Sequence, residues 1–499
     1  MAIIFASTVR TSEIVRAVKA GKLRKLASKL YTDDLISAPE EIMHRHRLEI
    51  AAHFYPGAVI SHRSALEGDI SPRGKLHLTL QRMVAPVRKL PGLEIRLWRG
   101  PKPQAEDART PLADGKEVFT SSQARAILEN LQIARAHGGD EPKTLSAAEL
   151  ELWLDRRIRI YGANWLDELQ EQVAGLAARL DWKREQQEFD QLVAAIKGQA
   201  AAQGLTTEVM RARAQGRPYD PDRLTLFGIL HARLAKEHFV ELPKPPTNEW
   251  ANRAFWEAYF SNFIEGTKFT VEEARVIVYD QDAAKTLVAK RPEDAHDILE
   301  TYRLIEDAHI SAEVPRDAGH LLELLKRRHA RMMASRAKIQ PGVFKKTNNE
   351  FGARVFVMPD LVSETLARGW SASQALTSAT ARAFYVLFLI AEVHPFNDGN
   401  GRISRLAMNA ELEEARQMRL ILPTSLRIDY LTVLEALTTK GNPEPFISFA
   451  HKLIDINSRI PFGSFEETLA HFRRTGALDD QPQGFGFLPE MLAPPMPNM

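Results

Sequence analysis

The chain has 499 residues, 44% of them hydrophobic, with 66 Lys and Arg against 64 Asp and Glu and no cysteine. That length implies more than one domain, and the apolar fraction suits a globular protein with a sizeable core. The missing cysteine excludes disulfides, thiolate metal sites and cysteine nucleophiles. No apolar run approaches the roughly eighteen residues that span a bilayer, and the start MAIIFASTVR lacks the form of a secretion signal, so a cytoplasmic protein with no membrane partner is expected.

Charge is near balance overall but not locally: residues 1–100 carry about 17 Lys and Arg against about 9 Asp and Glu. Lys19, Lys22, Arg24, Lys25 and Lys29 cluster. Thr11, Ser12 and Glu13 are cap residues for a helix over 11–18 that sets Ile14, Val15 and Val18 on one side. Gly21 turns the chain, and Leu23, Leu26, Leu30 and Tyr31 lead an extended return, a pattern that suits a winged helix-turn-helix. Alternation over 75–80 (KLHLTL) predicts a strand. On KLRKLASKLYT and SHRSAL, this region resembles the N-terminal part of AbiEi-type antitoxins. The resemblance implies a DNA-binding or regulatory domain over 1–110. Arg24, Lys25 and Lys29 would contact DNA phosphates, which gives affinity and salt dependence rather than sequence choice.

Residues 145–200 carry apolar stripes at helical spacing (Trp165, Leu169, Val173, Leu176, Leu180, then Phe189, Leu192, Val193, Ile196) and are read as packing surfaces within a helical connector over 111–240. ELPKPPTNEW, 241–250, is a stiff linker candidate ahead of a catalytic part over 251–460. FWEAYFSNFIEG, 255–266, repeats aromatic and aliphatic residues at helical spacing and predicts a buried helix. Ser261 and Glu265 share one face, and Gly266 ends the run as a C-terminal glycine does. A carboxylate at that end opposes the helix dipole and calls for a cation. In 342–360, Asn348, Asn349 and Gly352 are turn formers before a short strand over 354–357. The tail over 475–499, rich in Pro and Gly, is expected to be disordered.

Residues 394–405 read HPFNDGNGRISR, between two apolar helix-like runs. Gly399, Asn400 and Gly401 adopt positive φ cheaply and can turn successive N–H groups into an anion nest next to a helix start. Arg402 and Arg405 are three apart on one helical face and can fork onto phosphate oxygens. Asp398 beside bare phosphate calls for a divalent cation between them, and Mg²⁺ is commonly held by one or two carboxylates plus phosphates. His394 can take a proton from an attacking hydroxyl, and Phe396 anchors the loop in the core. Together these groups describe a site for a nucleoside triphosphate.

The loop resembles the Fic (Fido) signature H-x-F-x-[D/E]-G-N-G-R-x-x-R, with every fixed position matched. The resemblance implies a mainly α fold: a helical Fic domain with a small β-hairpin flap, preceded here by the α/β winged-helix-like domain and the helical connector. It implies transfer of AMP from ATP to a Ser, Thr or Tyr hydroxyl of a target protein, with release of pyrophosphate. His394 is then the base, Asp398 the Mg²⁺ ligand, Gly399, Asn400 and Gly401 the phosphate nest, and Arg402 and Arg405 the cations on the β- and γ-phosphates. Relatives that phosphorylate carry Lys at a nest glycine, whereas Gly401 is kept here. Ser261, Glu265 and Gly266 match the family's inhibitory helix pattern [S/T]-x-x-x-E-[G/N], which implies that Glu265 pairs with Arg405 and blocks the triphosphate. The segment 342–360 resembles the flap that aligns a target strand, with Phe356, Val357 and Met358 over the nucleotide. A homodimer is compatible with the family. Two alternatives stay open: a DNA-binding, antitoxin-like regulator with a regulatory Fic domain, and a Fic enzyme with a different donor, since the loop does not read the base.

Overall fold

The computed structural model describes residues 2–6, 11–68, 70–82, 86–112, 115–134, 141–200, 204–246, 250–351 and 354–479. The chain divides into two units, 1–216 and 217–499. Among the described residues no helix is long and apolar enough to cross a membrane.

In the first unit, strands β1 (Ile3–Phe5), β2 (Arg24–Ala27) and β3 (Leu30–Thr32) form an antiparallel sheet in the order β1-β3-β2. Helix Thr11–Lys19 precedes the β2–β3 hairpin. It is the one helix before that hairpin among the described residues, so the expected helix-turn-helix pair is incomplete there; helices Pro39–Arg45 and Arg47–Phe54 follow the hairpin instead. Strands β4 (Val59–Ile60), β5 (Lys75–Leu80), β6 (Val87–Leu90), β7 (Leu93–Arg99), β8 (Ala108–Pro111) and β9 (Glu117–Thr120) make a mixed sheet in the order β6-β7-β5-β4-β9-β8. The alternation over 75–80 is therefore a strand as expected, parallel to β7 and antiparallel to β4. One core of Ile42, Ile50, Leu76, Leu78, Ile95 and their neighbours serves both sheets. The apolar stripes of 145–200 are helices Ala147–Tyr161, Asn164–Leu180 and Lys183–Ile196, with Leu169, Val173, Leu176, Phe189, Val193 and Ile196 buried. A capping box of Ser146 and Glu149 starts the first of them.

The second unit is helical around a single core. Its axis is helix Ala379–Val393, mostly apolar and buried along nearly its whole length, with Phe384, Phe388, Leu389 and Ile390 at 0% exposure. Helix Pro221–Leu234 falls inside the connector that the sequence suggests, yet it packs here: Phe227 meets Tyr385 and Phe388 edge-on at 6.3 and 6.0 Å. Asp220 caps its start and Pro221 takes the first turn. The boundary thus lies at 216/217 rather than at 241–250. The Pro-rich segment itself is pinned, since Lys244 N–H donates to the Arg416 carbonyl and Met418 N–H to that of Leu242. Helix Trp250–Ile264 is buried as its aromatic spacing predicts, with Phe255, Trp256 and Phe260 at 0% exposure. It ends in a Schellman motif: Gly266 has φ +98°, its N–H bonds the Phe263 carbonyl, and Thr267 N–H bonds that of Asn262. Strands β10 (Glu350–Phe351) and β11 (Arg354–Val355) pair as a short hairpin, with Gly352 outside the described residues. So does the tail from 480 onward, while Ala477 is buried.

Candidate active site

The loop 394–399 connects helix Ala379–Val393 to helix Asn400–Glu414, and each of its residues is tied down. His394 closes the first helix in the left-handed region, φ 54° and ψ 61°. Its Nδ1 faces the Ala391 carbonyl at 3.4 Å, and in the tautomer that donates there the lone pair lies on Nε2. Phe356 stacks on its ring at 3.9 Å. Phe396 is wholly buried and stacks on His329 at 3.8 Å, so it anchors the loop as expected. His329 receives a hydrogen bond from Gly342 N–H on Nδ1 (2.9 Å) and donates from Nε2 to the Asp398 carbonyl (3.0 Å). Burial pushes that imidazole down to about 4, so it is neutral and its tautomer is set by Gly342.

The nest differs from the sequence expectation. Only Gly399 has positive φ, at 76°, while Asn400 and Gly401 already belong to the helix. The candidate anion site is therefore the first turn of a 15-residue helix. Asn400 turns inward: its Oδ1 accepts from Phe396 N–H and its Nδ2 donates to the Phe396 carbonyl, both at 2.8 Å. Gly399 is also crowded, because a Cβ there would meet Met333 Sδ at 3.2 Å and Met332 Cε at 3.3 Å. Gly399→Ala should destabilise the protein by about 1–3 kcal/mol, read as a lower urea midpoint at unchanged slope.

The two arginines part company. Arg402, 2% exposed, donates from Nη1 to Asp297 (2.7 Å) and Asn262 (3.2 Å) and does not line the cavity beside His394. Asp297 also accepts from Arg336 Nε at 2.7 Å. Arg402 thus joins three helices rather than offering itself to phosphate. Arg405 donates from Nε to Ser261 Oγ (3.0 Å), and from Nη2 to the Ser261 carbonyl (2.9 Å) and to Glu265 Oε1 (2.7 Å). Its buried Nη1 has no hydrogen-bond partner among the described residues. Glu265 lies over the first turn of the 400–414 helix, where a Cβ on Gly401 would overlap its Oε1. Burial alone would raise the Glu265 carboxyl, but Arg405, with Arg402 and His394 behind it, holds it below the usual carboxylate range.

Glu265, Gly401, Arg405 and His394 line one cavity of about 290 Å³. Sequence reasoning missed its far wall, Arg427, Tyr430, Leu431 and Leu434 on helix Arg427–Lys440, which carries no motif. It also missed Asn262 and Asp297. Of the three flap residues, Phe356 faces the cavity, whereas Val357 is 1% exposed in the core and Met358 packs against that core. Asp398 is half exposed, with Oδ1 accepting from Gly399 N–H at 2.7 Å and Oδ2 4.0 Å from Arg402. Among the described residues no group of three acidic, His or Cys side chains is placed to hold a metal ion. A lone accessible carboxylate beside a phosphate site still fits Mg²⁺, whose other ligands come from phosphate and water. In the first unit, Arg24 and Lys25 lie on β2, and Lys29 lies in the hairpin turn with φ 61°. Arg24 donates to the Ser37 carbonyl (2.6 Å), while Lys25 and Lys29 are exposed.

Lys345 connects the flap base to the loop: its N–H donates to the Pro395 carbonyl (2.9 Å) and its Nζ to Asn349 Oδ1 (2.7 Å), which in turn bonds the Phe396 carbonyl (2.9 Å). Burial, then the charge of Arg223, pushes its ammonium from 10.5 down to about 7. The folded state therefore releases this proton first, and the contribution to stability is lost as pH falls from about 10 through about 7. Lys345→Met should be more stable than wild type below pH 7, by an amount that shrinks as pH rises toward about 10. Urea unfolding of both proteins at about pH 6.5 and about pH 9.5 reads the difference.

Residues 320–412, which hold this loop, the helix before it and most of the helix after it, match the Fic/DOC family model. The chain is similar to the protein adenylyltransferase Fic of Drosophila grimshawi, 28% identical over 211 residues, 40% of this chain and 42% of that protein. The corresponding protein of Culex quinquefasciatus is 26% identical over 249 residues, 47% of this chain and 49% of its own. The chain thus spans less than half the length of these curated relatives. Among solved structures it is similar to Fic-1 (residues 134–508) of C. elegans, with TM-score 0.34 and 16% identity, covering 66% of this chain and 99% of that one. A Fic domain containing signaling protein of Bacteroides thetaiotaomicron gives TM-score 0.32 and 16% identity over 52% of this chain and 99% of its own.

Proposed function

We propose that this protein is a protein adenylyltransferase that moves AMP from ATP to a Ser, Thr or Tyr hydroxyl of a target protein and is held at rest by Glu265. One observation carries the reading: an internal carboxylate sits on an anion-binding helix start, paired with Arg405, in the same cavity as His394. A site built for anions and filled by its own chain is the arrangement of an inhibited phosphate site. Once Glu265 leaves, the helix amides and Arg405 bind the phosphates. His394 Nε2 takes the proton of the target hydroxyl, the hydroxyl oxygen bonds to the α-phosphorus, and the bond from that phosphorus to the bridging oxygen of pyrophosphate breaks. Asp398 would hold Mg²⁺, which supplies countercharge to the phosphates. The retained Gly401 leaves room at the helix start for the departing pyrophosphate. The exposed Val355 on the short β10–β11 hairpin supports docking of a target segment there. Incubation with labelled ATP and mass spectrometry test the reading. The expected product is an AMP adduct on a hydroxyl, and a phosphate adduct alone would overturn it.

A further inference from the structure

A second polar cavity lies in the first unit, outside the catalytic loop. It has a volume of about 130 Å³ and is lined by His62, Thr79, Arg99, Glu129, Gln132 and Trp182, among others. His62 follows β4 directly and sits in the left-handed region, φ 54°, at 3% exposure. Such a conformation in a residue other than glycine persists only when its surroundings hold it. Here they do: the His62 N–H donates to Glu129 Oε2 at 2.9 Å, and Ser61 Oγ lies 2.9 Å from His62 Nδ1.

The hydrogen bonds also decide where the ring proton sits. Thr79 Oγ1 donates to Ser61 Oγ at 2.7 Å, so the Ser61 hydroxyl hydrogen goes to His62 Nδ1 and the ring carries its own proton on Nε2. Among the described residues that Nε2–H completes no hydrogen bond of normal geometry, although the Gln132 side chain lies close to the ring. A buried donor left without an acceptor is costly, and a ligand acceptor would recover that cost. Burial, with the charges of Lys143, His77 and Arg125, holds the imidazole neutral against the opposing influence of Gln132.

The charges around the cavity favour an anion. Glu129 offers little: its Oε1 accepts from Arg125 Nε (2.8 Å), and its Oε2 from the His62 N–H and Ser121 Oγ, each at 2.9 Å. Arg125 is shared with Asp107. Lys143 donates to Gln132 Oε1 at 3.2 Å, which turns the Gln132 amide N–H groups to other partners. Arg99 at the mouth is exposed. Arg99, Lys143 and Arg125 are three cations against the two carboxylates of Glu129 and Asp107. About four water volumes fit such a space, well below the roughly 300 Å³ at which ordinary ligand pockets begin. A tetrahedral oxyanion matches that size, and a guanidinium matches its geometry.

We propose that this cavity is a binding site for a phosphate group, held by His62 Nε2–H, Arg99 and Gln132. The phosphate is either free or the terminal group of a larger ligand that projects past Arg99. Calorimetric titration of the full chain with inorganic phosphate tests the proposal. The protein should carry Arg405→Ala so that the catalytic helix start does not contribute. Saturable binding is expected, weakened at least tenfold by Arg99→Gln and by His62→Asn. Asparagine tolerates the left-handed backbone and lacks Nε2, and the exposed Arg99 site keeps the test valid if His62→Asn does not fold. Absence of binding, or equal affinity in Arg99→Gln, overturns the proposal. A 5′-phosphorylated oligonucleotide that binds more tightly than both phosphate and its unphosphorylated counterpart would identify a nucleic-acid end as the source. Equal binding of phosphate and phosphorylated oligonucleotide would identify the free anion.

Discussion

Glu265→Gly protein should label itself with AMP from ATP about 10- to 100-fold faster than wild type, equivalent to about 1.4–2.8 kcal/mol of barrier. On the proposed reading the Glu265 carboxylate and a bound phosphate would compete for the same guanidinium and the same space over Gly401, since Arg405 Nη2 is 2.7 Å from Glu265 Oε1. Its negative charge also opposes the triphosphate directly. The side chain is 27% exposed, so solvent screens part of that repulsion, and steric exclusion at Gly401 carries the larger share. Glu265→Gln keeps the shape and removes the charge, and its gain should fall between the two proteins. The readout is the initial rate of adduct formation with labelled ATP at equal protein concentration. Equal rates in wild type and Glu265→Gly would show that the Arg405 contact is structural.

His394→Ala placed on the Glu265→Gly background should lose about 10²–10⁴-fold of that rate, the usual worth of a positioned base. ATP affinity should change by less than about twofold, because the phosphate-binding groups lie on the next helix and His394 offers Nε2 as an acceptor. The separation matters: a loss of rate with intact binding assigns His394 to proton transfer, whereas loss of both means that the loop has moved. The loop is braced independently by His329, Asn349 and Asn400, so truncation at 394 removes a ring without removing those ties. A rate within tenfold of the parent would exclude His394 as the base.

Much of this site was legible because its determinants are local. The aromatic spacing of 255–264 marks a buried helix, the Gly at 266 marks its end, and twelve contiguous residues place His394, Asp398, a helix start and Arg405 together. What escaped depends on partners far along the chain. Arg402 is drawn to Asp297, 105 positions away, and to Asn262, 140 away. A three-residue spacing to Arg405 says nothing about either. The nest was read as three flexible residues because Gly-Asn-Gly permits positive φ, but the Asn400 side chain bonds back to Phe396 and starts the helix one residue after Gly399. Strand alternation was extended through Val357, whereas β11 stops at Val355 and the chain turns into a 3₁₀ segment, Pro359–Leu361. Helix Pro221–Leu234 was assigned to the connector because its apolar face, Leu226, Phe227, Leu230 and Leu234, does not announce which core it joins.

If Glu265 is the brake proposed above, helix Trp250–Ile264 limits how it can be lifted. Withdrawing it bodily would hydrate Phe255, Trp256 and Phe260, at about 1.5–3 kcal/mol for each side chain, a sum comparable to the whole margin that keeps an average domain folded. Glu265 lies past the last helical residue, ahead of a glycine, where χ rotation and a small backbone adjustment move the carboxylate while the rings stay sealed. On the proposed reading, activation would amount to a rotamer change on a rigid scaffold, and anything that binds near the Gly266 corner would have leverage over the rate without loosening the core.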